Sequence, residues 1–171
     1  MIPSDCTKQV TLTFKRAELL DDIAAYGYVE GDVLSDDSGQ VKVQTQDVIQ
    51  DSNRELCCRI IQLVLAKCRE KLYPFTKDAV LDTNTYDDTL ADPTTYTITL
   101  MVPETFSKTT ADFLCKLIHQ LIVARVLENW LKVTNPSKAA MWMANGDNLE
   151  EQLESAKSIR IRRVRRKLSP F

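Results

Sequence analysis

The sequence predicts an α+β domain that is mainly α, built on two long core helices with a few short strands and an extended basic C-terminal arm. Three patterns carry that expectation. Leu56, Ile60, Ile61, Leu63, Val64, Leu65 and Cys68 recur at helical spacing, and so does a longer set running from Phe113 to Leu131. Between them, residues 95–102 alternate Tyr96, Ile98, Leu100 and Val102 against threonines and a methionine, the period of a half-buried strand. At the C-terminal end, Lys157 to Lys167 holds seven Lys or Arg and no acid, so the remaining 15 basic residues face all 24 acidic ones, a net of −9 that the overall −2 conceals. Residues 1–156 therefore read as a single globular α+β domain and 157–171 as its arm.

Taken in order, Val10–Phe14 alternates as a strand, and Arg16 to Tyr26 switches to helical spacing through Ala17, Leu20, Ile23 and Ala24. Gly27, Gly31 and Asp36–Gly39 supply turn chemistry, which predicts a loop over 27–40 with Val41–Val43 as a short strand. Ser52 with Glu55 fits a capping box, so a helix is expected from there to about Leu72, stopped by Pro74. Its apolar residues on nearly every face predict a central, well-covered helix. Residues 78–93 are acidic and turn-rich, an exposed excursion before the strand that Pro103 ends.

The second long helix is expected from about Thr109 to Val133. Phe113, Leu114, Leu117, Ile118, Leu121, Ile122, Val126, Leu127, Trp130 and Leu131 form its core stripe, with Asp112, Lys116, Gln120, Glu128 and Lys132 on the polar side. Asn135-Pro136 suits a helix start, which predicts a short helix over 137–144 ended by Asn145-Gly146. Asp147 with Glu150 then opens another short helix presenting Leu149, Leu153 and Ala156.

With 44% hydrophobic and 27% charged residues the composition is that of an ordinary globular protein. Charged residues or Gln interrupt every apolar stretch well short of the roughly 18 residues a membrane span needs, so no membrane partner is expected. The first residues show neither a basic n-region nor an apolar h-region, so synthesis in the cytoplasm is expected. The five cysteines form no CxxC and have no His placed to complete a zinc site, and Cys57, Cys58, Cys68 and Cys115 fall in helical apolar patterns, which predicts small buried hydrophobes rather than metal ligands.

No constellation for chemistry stands out. Counted from Asp82, a calcium loop would need Gly where Asp87 stands and Glu where Pro93 stands. His119, the single histidine, lies four residues from Cys115, a neighbour by helical spacing alone, and its polar neighbours predict a surface or boundary position. There is no phosphate-cradling glycine motif, and the carboxylate pairs Asp21-Asp22, Asp36-Asp37 and Asp87-Asp88 sit in polar settings. The residues predict no catalytic group, cofactor or metal, and hence no enzyme.

What remains points to contact. Trp130 reads as core, while Met141, Trp142 and Met143 are bulky enough on a short helix to be either a core lid or an oligomer contact. In the arm, Arg160, Arg162, Arg163, Arg165, Arg166, Lys167 and Phe171 are the candidate partner or DNA contacts, with Ile159, Ile161, Val164 and Leu168 interleaved. Phosphate contact with nucleic acid, docking on an acidic protein surface and plain solvation all fit that composition.

The segments Tyr26-Gly-Tyr-Val-Glu-Gly-Asp32, Lys71-Leu-Tyr-Pro-Phe-Thr-Lys77, Val102-Pro-Glu-Thr-Phe-Ser-Lys108, Val123-Ala-Arg-Val-Leu-Glu-Asn-Trp-Leu131 and the Arg-rich run closing in Ser169-Pro-Phe171 resemble a family of small uncharacterised structural proteins of tailed-phage and prophage assembly modules. The resemblance spans most of the chain. It implies a non-enzymatic virion protein of the neck or tail, of the head-tail connector or completion class, made in the host bacterial cytoplasm and forming a homo-oligomeric ring around the DNA exit channel. Portal or other neck and tail proteins would be its partners. The segments do not distinguish an adaptor from a stopper; a tail terminator or tail completion protein is the alternative within that setting, and no catalytic residues carry over. In that setting the arm reads first as a clasp between subunits and second as a non-specific DNA contact. The alternative outside that setting is a nucleic-acid-binding accessory protein that uses the same arginines.

Overall fold

The structure, a computed structural model, describes residues 7–32, 43, 45–73, 75–78, 93–104 and 106–158. Strand β1 (Thr7–Lys15) runs directly into α1 (Arg16–Asp32); a single 3₁₀ turn (Asp47–Ile49) leads into α2 (Asp51–Lys71). Strand β2 (Thr95–Pro103) precedes α3 (Lys108–Thr134) and α4 (Pro136–Ser158). The architecture is α+β and mainly α, with the two long core helices expected at α2 and α3. The acidic segment 79–92, Val41, Lys42 and the arm beyond Ser158 lie outside the described residues.

The two strands pair antiparallel with Thr7 opposite Pro103 and Lys15 opposite Thr95. Leu12, Phe14, Tyr96, Ile98, Leu100 and Val102 turn to one face and are buried, while Thr97, Thr99 and Met101 face out. Against the buried face pack Ile61, Leu65 and Cys68 of α2 and Leu114, Ile118, Leu121 and Ile122 of α3, so one core spans sheet and helices. Trp130 is partly buried on its edge and donates its indole N–H to the Thr45 carbonyl at 3.2 Å.

Several boundaries depart from expectation. Residues 27–32, expected as loop, continue α1. A Cβ on Gly27 would lie 2.8 Å from Val48 Cγ1, so the glycine is there to let the 45–49 segment close against the helix rather than to turn the chain. Val43, expected in a strand, is helical. The box of Ser52 and Glu55 is not used: α2 begins at Asp51, its N-cap is Gln50, and no side chain caps it. Nor is α2 covered all round, since Leu56 and Leu63 are exposed. Phe113, placed on the core stripe of α3, is exposed as well.

The largest departure is α4, one continuous helix where two short ones were expected. Asn135 alone joins it to α3: its N–H donates to the Leu131 carbonyl at 2.7 Å, and its side-chain oxygen accepts from Ser137 Oγ and from the Lys138 N–H. The helices fold back antiparallel, which brings Arg125 of α3 over Gly146. A Cβ there would meet the guanidinium at 3.0 Å. Arg125 then reaches Glu128 at 2.7 Å, Asp147 at 2.7 Å and Glu150 at 2.6 Å. Asp147 is thus a partner of Arg125 inside a helix, not the cap of a new one.

The network extends to α2, whose last residue Lys71 pairs with Glu150 at 3.1 Å and Glu154 at 2.9 Å. Lys132 closes the other side on Glu128 at 2.7 Å. Glu128, expected on the polar face, is buried. Burial alone would raise its carboxyl pKa, but hydrogen bonds from Lys132 and Arg125 outweigh it and hold the group below its ordinary value. Glu150 follows the same logic, with Arg125 and Lys71 overcoming burial. Lys157, counted by its charge with the arm, belongs to α4 and donates to the Lys71 carbonyl at 2.6 Å.

Two expectations follow. Gly27→Ala should destabilise the protein by about 1–3 kcal/mol in urea unfolding, with most of that cost recovered when Val48→Ala makes room; an unchanged midpoint would contradict the close approach. The depressed carboxyls of Glu128 and Glu150 contribute stability above their unfolded pKa values and lose it as pH falls through the folded ones. Thermal midpoints should hold down to about pH 5 and decline below it, and Arg125→Met should flatten that acid limb.

Candidate interaction surface

Between the end of β1, α1, α3 and α4 runs an open groove of about 550 Å³. Phe14, Val123, Trp142 and Leu149 make its apolar wall, and Glu18, Asp22, Lys116, His119 and Gln120 its polar rim. His119 Nε2 lies 2.8 Å from Asp22 Oδ2, an ordered pair at the boundary between core and solvent, as the polar neighbours of His119 predict. Nothing in the spacing could have matched those two, which are 97 residues apart.

Cys115 also lines the groove, so a thiol, an imidazole and a carboxylate share one cleft. The thiol is turned away from that arrangement. Its Sγ donates to the Thr13 carbonyl at 3.9 Å, and burial raises its pKa. Nucleophile activation needs a lowered thiol pKa and a base in contact. Deeper in the core, burial pushes Cys57 up to about 11 and Cys68 up to about 12, and the Cys57 thiol donates to the Val48 carbonyl at 3.4 Å. Among the described residues no cluster of three or more His, Cys, Asp or Glu is placed to hold a metal ion, and no described helix is long and apolar enough to cross a membrane.

The three bulky residues of α4 separate. Trp142 is the lid: it is partly buried, packs edge-on against Tyr26 with ring centroids 5.4 Å apart, and donates to Glu30 Oε1 at 3.2 Å. Glu30 is held in place by Lys138 at 3.1 Å. Met141 shares the flank of Lys138 and Asn145, which face α1, yet it stays 64% exposed. Met143 lies on the opposite flank, toward the Arg125 network, and is 49% exposed. On α1, Tyr26 and Val29 are 49% and 55% exposed one turn apart. Tyr26 and Val29 of α1 and Met141 of α4 are thus exposed apolar side chains on the two helices that the Tyr26–Trp142 contact joins.

Arg160, Arg162, Arg163, Arg165, Arg166, Lys167 and Phe171 lie outside the described residues. The described end of α4 fixes where they begin, beside the last turn of α2. No protein-family model matches the chain, and no curated protein or solved structure does either.

At about pH 8, alkylation mapped peptide by peptide should modify Cys115 about tenfold more slowly than a free cysteine, and Cys57 and Cys68 only on unfolding. A Cys115 rate equal to that of the free thiol would contradict its seating on Thr13.

Proposed function

We infer that the protein is a non-catalytic virion structural subunit of the neck or tail of a tailed phage, assembling into a ring at the DNA exit channel with its C-terminal arm docked on neighbouring subunits. The reading rests on the sequence resemblance, and one structural observation supports it: Tyr26, Val29 and Met141 are exposed on the two helices that Trp142 joins. Large apolar and aromatic side chains held on a rigid base are the groups that anchor protein interfaces, and leaving them in water forgoes their burial. A ring requires two different surfaces per subunit, because each copy meets the next head to tail. These apolar side chains supply one, and the arm launched from the end of α4 belongs to the other.

Mass photometry of the full chain should show a closed oligomer. Val29→Glu combined with Met141→Glu should weaken assembly about tenfold or more while the thermal midpoint of the monomer is retained. Assembly untouched by the pair would remove these side chains from the ring joint.

A further inference from the structure

Antiparallel pairing leaves alternate residues of each strand with both backbone groups directed away from the partner. On β2 those residues are identified by bonds leaving the sheet: the Met101 N–H donates to the Phe75 carbonyl at 2.7 Å, and the Thr97 carbonyl accepts from Arg69 at 2.8 Å. The outer edge of β2 is therefore met at both ends, at Met101 and at Thr97. In register, Met101 stands opposite Gln9, Thr99 opposite Thr11, and Thr97 opposite Thr13. Gln9, Thr11 and Thr13 must then direct their N–H and C=O groups outward along β1. The Cys115 thiol on the Thr13 carbonyl confirms that direction. Among the described residues, nothing else bonds to the outward backbone groups of these three.

This open edge borders the groove, which takes Thr13 and Phe14 as part of its wall. A strand added to β1 would place alternate side chains over that apolar wall. On the flanking helix α1, Glu18, Asp21 and Asp22 are exposed, Glu18 paired with Lys15 at 2.9 Å and Asp22 with His119 at 2.8 Å. The chain beyond Ser158 begins Ile159-Arg-Ile161-Arg, aliphatic and cationic in alternation, with Val164 and Leu168 further on and no acid anywhere. Its thirteen residues reach about 45 Å when extended. They start on the flank of α4 that faces α2, where Lys157 holds the Lys71 carbonyl, whereas the groove opens on the flank facing α1. In the ring reading above, the groove that receives them is a neighbour's.

We propose that residues 159–171 of one copy add as a strand to the outer edge of β1 in the next copy, with backbone bonds to Gln9 and Thr11, where Cys115 leaves the edge open, aliphatic side chains toward the groove and arginines toward the α1 carboxylates. Strand addition gives affinity through the backbone and specificity through alternate side chains, and it covers an edge that would otherwise template uncontrolled association. The proposal rests on the ring reading above and names the seat of its arm.

Residue-resolved hydrogen exchange on the full chain tests it. The Thr11 amide should exchange about tenfold or more slowly in the assembled chain than in a chain ending at Ser158. Thr11→Pro, which removes a donor that the subunit itself does not use, should speed exchange of the arm amides by a similar factor, whereas Thr11→Ala should not. Edge protection that survives loss of the arm, or that persists unchanged in a monomer at any dilution, overturns the proposal. A ring with freely exchanging edge amides overturns the strand addition and leaves the ring standing. A chain that is monomeric at every concentration overturns the ring itself.

Discussion

Arg125 is the constraint on which the helical half of the protein depends. One guanidinium from α3 meets Glu128 on its own helix and Asp147 and Glu150 on α4, while Lys71 brings the end of α2 to Glu150 and Glu154. Exposed ion pairs contribute little singly. Here Arg125 and Glu128 are largely removed from water, so the cost of leaving either unpaired is what makes the arrangement specific. Burial opposes the charge on Arg125, and its three carboxylates more than restore it, raising its pKa further.

The consequences run outward from that point. Gly146, a residue that ordinarily ends helices, becomes the place where the guanidinium can lie against the α4 backbone. The helix therefore runs unbroken from Pro136 to Ser158. At its start it carries Trp142 against Tyr26 and Glu30 of α1. At its end it ties Lys157 to the last turn of α2. A single rigid element thus supports the exposed apolar side chains at one end and sets the root of the basic arm at the other.

The sequence was informative where a period extends over many residues. The alternation from Tyr96 to Val102 and the stripe from Leu114 to Leu131 appear in the structure as expected, because strand and helix periods follow directly from backbone geometry. It misled where a local signal met a distant partner. Gly27 read as a turn residue until Val48 explained it, and Asn145-Gly146 read as a stop until Arg125 did. Glu128 read as solvated because its charge was visible and its two cationic partners were not. The groove had no local signal at all, since Phe14, Asp22, His119 and Trp142 meet only through the packing of β1, α1, α3 and α4.

A double-mutant cycle on Arg125→Met and Glu150→Gln, read by equilibrium unfolding, tests the central claim most directly. If the network joins α2, α3 and α4 as described, the two substitutions should be strongly non-additive, with a coupling energy of about 1–3 kcal/mol. Additivity to within about 0.3 kcal/mol would mean that the helices are held by apolar packing alone and that Arg125 is incidental.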